Sequence, residues 1–439
     1  MKRGALARSV ALAGSARAVT LPVSGVASLL STNLLFRHYG SSGFAIYSLV
    51  AFLPMLLPAA DLGVGGSVID AVARRAELGR QGVYEVLRRG VRRLVLSAGL
   101  LISLSTGIAV LNLWPVVLGG GRHAASLNLA AGLSISVFAA GMPAALGLRI
   151  LQGLERTHIA VLFEGGASAI TLGLVWLAVR TNTPLAVVAS AQSAAILLIG
   201  IGACLTAFPS LSRNVAGTTV DFRRPPLPRG LPLSGSFFVI SFALPVTFQT
   251  DRLILAHTRG LATVAIYSAA SQLWAPCVGL IGAAGQSLWP AFARHRAIGV
   301  GLDATIFKQA ILLFSALGAT FGIGLVVLGP AVTARVTNGE AAASIGVMAA
   351  FGLLLVATAI QYPGGMYLLD AAGARFQAWC AVLMALLNVP LAIVLSLAVG
   401  TSGPVLASAS LSLAVMSGPV YWRIRQQHGL VAGGSRQNS

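Results

Sequence analysis

The chain has 439 residues, of which 56% are hydrophobic and only 9% are charged, and its formal net charge is +19. Soluble domains carry about 25% charged residues, so this composition excludes an ordinary soluble protein and predicts a chain that is buried mostly in lipid. The basic residues lie between apolar runs of about 20 residues, each long enough to span a bilayer, and this placement argues against nucleic-acid binding.

No metal site or cofactor is expected. The cysteines Cys204, Cys277 and Cys380 lie far apart inside apolar runs, and the six histidines are scattered. There is no nucleotide-binding loop of the Walker type, so ATP is not expected to be the direct energy source. The first basic residues lead into a full-length apolar run without a cleavage pattern, so no cleavable signal peptide is expected.

Twelve apolar runs predict an all-α polytopic membrane protein. The first half of the chain gives six spans, at residues 18–36, 44–73, 93–118, 126–150, 158–180 and 184–208. The second half gives another six, at residues 233–256, 262–293, 308–330, 342–369, 375–398 and 402–424. The second and eighth runs exceed the length that a bilayer requires, so we expect them to tilt or to project into the cytoplasm.

These spans predict two six-helix bundles, at residues 1–208 and 233–424. The segment 209–232 is polar and basic and contains the run Pro225-Pro226-Leu227-Pro228, which predicts a semi-rigid cytoplasmic linker. Residues 425–439 are predicted to form a cytoplasmic tail.

The two halves of the chain carry the same pattern at a constant offset of 220 residues, which indicates a duplicated unit. The run Ala45-Ile46-Tyr47-Ser48 returns as Ala265-Ile266-Tyr267-Ser268. Other positions follow the same offset: Gly40 and Gly260, Pro143 and Pro363, Gly153 and Gly373, and Pro184 and Pro404. Tandem homologous membrane bundles are typical of transporters.

The basic residues predict the orientation of the chain in the membrane. With the N-terminus inside, the inner segments carry 24 of the 30 Lys and Arg residues and the outer segments carry 6. This bias places both termini in the cytoplasm. Six spans in each half give the two bundles the same orientation, related by an axis along the membrane normal.

Three acidic residues lie inside the predicted spans, where an ionisable group is costly and is usually functional. Asp61 follows Pro54 and Pro58, and Asp251 lies in the seventh span beside Arg252; both are candidates for ion coupling or gating by H⁺ or Na⁺. Glu164 is a third candidate. The alternative for Asp61 is a helix-packing carboxylate, and for Glu164 it is a first-turn acid near the headgroups.

Four arginines are candidate contacts for an anionic substrate, because the planar guanidinium binds phosphate through two parallel hydrogen bonds. They are Arg252, Arg37, Arg17 and Arg149. The alternative is that they lie at helix ends and reach the interface by snorkelling. A denser run of arginines, between Arg74 and Arg93, is expected to face anionic headgroups of the cytoplasmic leaflet.

The run Arg37-x-x-Gly40-x-x-Gly43-x-x-x-Tyr47, with Asp61-Leu62-Gly63 after it, resembles Wzx-type polysaccharide and O-antigen flippases. So does the run that starts at Asp251-Arg252. These flippases belong to the multidrug/oligosaccharidyl-lipid/polysaccharide exporter (MOP) superfamily. The resemblance implies a pair of six-helix bundles around a cavity that opens alternately to the two sides of the inner membrane. It further implies a polyprenyl-diphosphate-linked oligosaccharide as substrate, and a polysaccharide polymerase and glycosyltransferases as possible partners.

Four other functions are weighed less favourably by the sequence than a flippase. A multidrug-type exporter needs several cavity carboxylates, which the basic excess disfavours. A peptidoglycan lipid flippase usually carries fourteen spans and an arginine-rich first helix, and here Arg17 stands almost alone. A non-transporting scaffold for glycan synthesis is less favoured because the repeat is intact in both halves. An enzyme is the least supported class, since no nucleophile–base or metal constellation is visible.

Overall fold

The computed structural model describes residues 3–57, 63–119, 123–215, 231–286, 288, 292 and 304–434. All regular secondary structure in these ranges is helical, and ten of the helices are long and apolar enough to cross a membrane. The expectation of an all-α polytopic membrane protein is therefore confirmed. Two of the ten, Gly14–Leu56 and Ala372–Gln426, have 43 and 55 residues and run past more than one predicted span, so the number twelve stays a prediction.

The chain divides into two compact units, Met1–Arg229 and Gly230–Ser439. The described helices of the first unit are α1 (Arg3–Ala51), α2 (Val64–Ala73), α3 (Arg75–Val110), α4 (Trp114–Leu118), α5 (Ala124–Gly141), α6 (Leu146–Gly153), α7 (Thr157–Arg180), α8 (Leu185–Val188) and α9 (Ala191–Val215). A 3₁₀ turn spans Leu53–Leu56. Helix α9 continues into the first part of the predicted linker.

The second unit contains α10 (Leu231–Gln249), α11 (Asp251–Thr258), α12 (Leu261–Gln286), α13 (Ala304–Val336), α14 (Ile345–Tyr367), α15 (Ala371–Val399), α16 (Gly403–Leu411) and α17 (Gly418–Gly434) among its described residues. One π-helical segment, Ser412–Ser417, joins the last two. Helix α17 therefore carries helical structure through most of the segment that was predicted as a tail.

Five spans that the sequence predicts as continuous are interrupted in the described part of the chain, and two of these breaks are the short turns at 111–113 and 189–190. The span 44–73 gives way to the 3₁₀ turn at Pro54 before α2 begins, and the span 126–150 has turns at 142–145, around Pro143. Proline removes a helical N–H and clashes with the carbonyl four residues earlier, which accounts for both breaks. The span 233–256 breaks at Thr250, between α10 and α11.

The break at Thr250 has a different cause. The hydroxyls of Thr247 and Thr250 donate back to the carbonyls of Ala243 and Val246, over 3.0 and 2.7 Å. Such back-bonding bends helices. Pro245, which lies between these residues, weakens the helix further.

Both units pack their first long helix against a later helix that runs in the same direction. In the first unit, Ser24 donates to the carbonyl of Gly165 (2.9 Å) and Tyr39 donates to that of Thr183 (2.6 Å), which orders α1 and α7 in parallel. In the second unit, the carbonyl of Thr247 in α10 accepts from Asn388 in α15. Arg259, which follows α11, donates to the carbonyls of Ser396 and Leu397 further along α15, which gives the same direction. Positions 39 and 259 are related by the predicted offset, and so are two pairs of glycines with positive φ: Gly40 and Gly260, and Gly119 and Gly339.

Helix α1 changes direction at Gly40, which has φ 67° and ψ −174°. Only glycine adopts this conformation readily, and other residues there cost about 1–3 kcal/mol. We expect Gly40→Ala to lower the thermal unfolding temperature of the purified protein in detergent. Gly99→Ala is the matched control, because a Cβ at Gly99 meets no neighbour and the residue lies inside α3. Equal unfolding temperatures for Gly40→Ala and the unchanged protein would contradict the strain argument.

The apolar cores lie within the units. A buried cluster in the first unit joins α2, α3, α6 and α9 through Val64, Val68, Val72, Leu87, Leu94, Ile150, Ala203 and Leu211. Helices α6 and α9 approach closely because Gly147 faces the backbone of Cys204, where an added Cβ would lie 2.3 Å from the amide nitrogen. In the second unit, one cluster contains Met384, Leu411 and Met416. Close helix approach through glycine is typical of membrane interiors.

Candidate functional site

The interruption between α10 and α11 exposes backbone groups in the interior of the second unit. Asn388 of α15 donates its side-chain amide to the carbonyl of Thr247 over 2.8 Å, and Ser408 of α16 donates to Asn388 Oδ1 over 3.2 Å. Thr247, Asn388 and Ser408 are all 0% exposed. Backbone groups in a membrane need internal partners, so this amide stabilises the interrupted helix.

Asp251 begins α11 and is buried, with 1% of its surface exposed. The hydroxyl of Tyr267 donates to Asp251 Oδ2 over 3.0 Å. The other carboxyl oxygen, Oδ1, has no hydrogen-bond partner. The positive end of the helix dipole favours an acidic group at this position. A buried carboxyl oxygen without a partner is costly and marks a place where a proton or cation would bind favourably.

Arg252 is half-buried, and its guanidinium is held by neutral side-chain oxygens. Nη1 donates to Gln249 Oε1 (2.8 Å), and Nη2 donates to Ser271 Oγ (3.0 Å). Nε donates to Ser268 Oγ over 3.3 Å. The guanidinium carbon also lies 5.4 Å from the ring centroid of Tyr267, within the range of a cation–π contact. These contacts fix the orientation of a cation inside a membrane bundle.

One face of α12 supplies most of the partners of this charged pair. Tyr267 and Ser268 are adjacent, Ser271 follows them at four and three residues and Trp274 follows Ser271 at three, the spacing of one helix face. The rings of Tyr267 and Trp274 lie 5.3 and 6.0 Å from that of Phe351 in α14. Trp274 Nε1 is a second buried polar atom without a partner. The Asp251–Arg252 cluster, defined by these two residues and their contacts on α12, is thus polar on one side and aromatic on the other.

Arg149 lies in a different place, at a cavity of about 210 Å³ inside the first unit. The lining residues are Pro54, Leu57, Gly65, Leu94, Phe138, Gly141, Met142, Ala145, Leu146, Arg149 and Ile196. Arg149 Nη1 donates to Gln152 Oε1 over 3.2 Å. The cavity adjoins the interruptions at Pro54 and Pro143, so the two helix breaks open the space that this guanidinium borders.

The remaining candidates of the first unit are spread apart. Arg17 is half-buried and Arg37 is exposed on α1, and the 20 residues between them correspond to about 30 Å of helix. One phosphate group therefore cannot contact both side chains at once. Glu164 is exposed on α7, next to Gly165, against which Ser24 of α1 packs. Asp61 lies outside the described residues.

Sequence reasoning identified the charged residues of the Asp251–Arg252 cluster but missed their neutral partners. Tyr267 and Ser268 belong to the repeated run Ala265-Ile266-Tyr267-Ser268, which indicated duplication and family resemblance but not a contact with the charged residues. Ser271 and Asn388 gave no signal, because a single serine or asparagine in an apolar run has many ordinary roles. Only the packing of α12 and α15 against α10 and α11 brings these groups to the charges.

A protein-family model described as "Polysaccharide biosynthesis protein" matches residues 20–295, which is more than half of the chain. No curated protein sequence matches the chain.

Solved transporter structures share the fold at low sequence identity. The lipid II flippase MurJ in an inward closed conformation matches with a TM-score of 0.67 and 15% identity, over 93% of this chain and 87% of that one. An inward-facing multidrug resistance MATE family transporter of the MOP superfamily matches at 0.62 and 16%, over 96% and 100%. A MOP superfamily transporter from Pyrococcus furiosus matches at 0.59 and 16%, over 95% of each chain. These likenesses establish the fold alone.

Proposed function

The chain belongs to the polysaccharide biosynthesis protein family, and from this premise we propose that it flips a polyprenyl-diphosphate-linked oligosaccharide across the membrane by alternating access. The substrate is a precursor of a polysaccharide, and the direction is from the inner to the outer leaflet of the plasma membrane. The solved structures that share the fold are those of flippases and transporters, which supports transport rather than catalysis.

The observation that carries this proposal is the oriented guanidinium of Arg252. A diphosphate cannot enter a bundle interior without replacing its water shell, because burying an unpaired charge costs many kcal/mol. Arg252 supplies a charge-assisted donor whose direction is fixed by Gln249, Ser268 and Ser271. When a phosphate oxygen arrives, it exchanges with one of these neutral acceptors. When the phosphate leaves, the hydroxyls and the amide accept hydrogen bonds from the guanidinium again, which favours release of the substrate.

The arginines of the first unit are further proposed contacts for the anionic headgroup. Arg17 and Arg37 both precede the bend of α1 at Gly40 and lie about 30 Å apart along the helix, so each contacts the anionic headgroup at a different stage. Arg149 offers a third contact at the cavity of the first unit. A chain of weak contacts moves a charged group better than one tight site, since tight binding would slow its release.

Asp251 is the proposed coupling group. It is buried beside Arg252, and its Oδ1 has no hydrogen-bond partner, so binding of H⁺ or Na⁺ there would lower the cost of burying the carboxylate. Uptake of the cation would change the charge next to Arg252 and hence its attraction for the diphosphate. Asp61 is a second proposed coupling group and Glu164 a third; the exposed position of Glu164 on α7 favours it less.

The multidrug-type exporter is the second candidate for the function. Binding of a cationic drug requires acidic groups at the site, and the chain has 11 acidic residues against 30 basic ones. A charged pair at an interrupted helix argues against a scaffold without transport. Buried charges destabilise a bundle, and a purely structural bundle gains nothing that offsets this cost. Both arguments favour the anionic lipid-linked glycan. A polysaccharide polymerase and glycosyltransferases are the proposed partners, as consumer and suppliers of that glycan.

A reconstitution experiment tests the function. The purified full chain is inserted into liposomes that carry a short polyprenyl-diphosphate oligosaccharide with a fluorescent sugar, and a membrane-impermeant reductant quenches the label on the outer face. We expect the quenched fraction to rise from about one half to nearly all. Liposomes without protein, and liposomes loaded with a fluorescent cationic drug, are the controls. Movement of the drug but not of the glycan lipid would favour the multidrug-type exporter.

A further inference from the structure

Helix α3 has one buried face and one exposed face. It bends at Gly79, which has φ 63°. Beyond that bend, the buried positions recur at helical spacing and pack against the first unit: Val83, Leu87, Gly90, Leu94 and Ala98. The period of these positions leaves most of the opposite side of the helix exposed over several turns.

The exposed face changes from cationic to aliphatic along the helix. Arg88, Arg89, Arg92 and Arg93 are exposed, and the following turns on this side expose only aliphatic or small side chains. Val95, Leu96, Leu100 and Leu104 are 52%, 64%, 70% and 58% exposed. We name these eight residues the α3 stripe. It carries no aromatic side chain on which a sugar ring could stack.

The cationic end of the stripe is only partly neutralised. Glu85 accepts from Arg88 over 3.2 Å and from Arg89 over 2.8 Å. Among the described residues, no salt bridge reaches Arg92 or Arg93. One carboxylate thus faces four guanidiniums in about two turns of helix, and the excess of positive charge favours an anionic neighbour.

The exposed aliphatic face is long enough to accommodate the acyl chain of one leaflet, and it continues to Val110 and Leu111, which are 77% and 68% exposed. From Arg92 to Leu104 is 12 residues, or about 18 Å of helix. Half of the hydrocarbon core of a bilayer is about 15 Å thick. A phosphate at Arg92 and Arg93 would therefore place its acyl chain along Leu96, Leu100 and Leu104, and the chain would end near the midplane.

From the excess of positive charge and the exposed aliphatic face that follows it, we propose that the α3 stripe binds a resident anionic phospholipid with two acyl chains, of the phosphatidylglycerol class. The lipid belongs to the leaflet at the basic end of α3, which the sequence predicts to be cytoplasmic. The absence of aromatic side chains for sugar stacking on the stripe favours an ordinary phospholipid over the glycan-bearing substrate. This inference stands independently of the proposed transport activity.

The test measures lipid selectivity in vesicles. The full chain is reconstituted into phosphatidylcholine with spin-labelled phosphatidylglycerol, and electron spin resonance gives the motionally restricted fraction. We expect R92Q/R93Q to weaken the preference for phosphatidylglycerol over spin-labelled phosphatidylcholine by about 30-fold at the stripe, since each basic residue near the surface contributes about five-fold. R92K/R93K, which keeps both charges, should retain the preference.

Matched charges elsewhere provide the control. Arg180 and Arg335 are exposed in the last turns of α7 and α13, and R180Q/R335Q removes the same net charge. An equal loss of selectivity in R180Q/R335Q would contradict lipid binding at the α3 stripe, because the net charge of the protein would then explain the effect. Unchanged selectivity in R92Q/R93Q would overturn it as well. So would displacement of the labelled phosphatidylglycerol by an equimolar polyprenyl diphosphate, which would assign the stripe to the substrate.

Discussion

Replacing Arg252 with alanine is expected to reduce glycan-lipid flipping about 10- to 100-fold, because a hydrogen bond to a charged group contributes about 1.5–3 kcal/mol. The substitution removes the guanidinium and leaves Gln249, Ser268 and Ser271 to bond among themselves or to water. The measurement is the initial rate of fluorophore quenching in the reconstituted system, with equal amounts of folded protein in each vesicle preparation.

Two variants separate the charge of Arg252 from its geometry. Arg252→Lys keeps the charge but cannot contact three acceptors through a planar fork, so we expect an intermediate rate. Arg180→Ala removes an exposed arginine that lies 5.5 Å over the ring of Trp176, and its rate should equal that of the unchanged protein. If Arg252→Ala unfolds at the normal temperature and flips at the normal rate, Arg252 does not contact the substrate.

The Asp251–Arg252 cluster breaks the symmetry of the predicted repeat. The offset of 220 residues relates Asp251 and Arg252 to Ser31 and Thr32 of the first unit. There the two hydroxyls donate to carbonyls of their own helix, those of Ala27 and Ser28, over 2.8 and 3.0 Å. Equivalent positions thus serve local helix bonding in one unit and hold a charged pair in the other. This difference favours the second unit as the place where an ion binds and couples to transport.

The sequence predicted the helical membrane fold because hydrophobicity over about 20 residues is a summed property that no single contact overrides. The sequence did not predict the helix interruptions, because these depend on competition between helical hydrogen bonds and other local interactions. The span 44–73 has an average hydropathy that suits a helix, yet Pro54 ends α1 and changes the chain to a 3₁₀ turn. At Thr250 the competition is between helical bonding, hydroxyl back-bonding and the amide of Asn388, which is 138 residues away in sequence.

The candidate site divides in the same way. Asp251 and Arg252 could be selected because an ionisable residue in an apolar run is rare and costly. Their partners could not, because Ser271 and Asn388 become informative only when packing brings them close. The pairing of Arg17 with Arg37 as joint substrate contacts was also open in the sequence. The length of α1 separates them and turns that hypothesis into one of successive contacts.

Asp251→Asn is expected to abolish the dependence of flipping on an imposed ion gradient. Asparagine keeps the size of the side chain and can still accept from the Tyr267 hydroxyl, but it cannot ionise. A buried carboxylate with an unpartnered oxygen is costly, so its neutral replacement should leave the unfolding temperature unchanged or raise it. A lowered rate in a protein of undiminished stability would then reflect lost coupling and not misfolding.

The gradient experiment identifies the ion and places the coupling group. Flipping rates are compared with a H⁺ gradient alone, a Na⁺ gradient alone and neither, for the unchanged protein, Asp251→Asn and Glu164→Gln. Because Glu164 is exposed on α7, Glu164→Gln should keep the response of the unchanged protein. Full gradient dependence in Asp251→Asn would transfer the role to Asp61, and Asp61→Asn would then have to lose it. The two hypotheses differ in the unit that binds the ion, because Asp251 belongs to the second unit and Asp61 to the first.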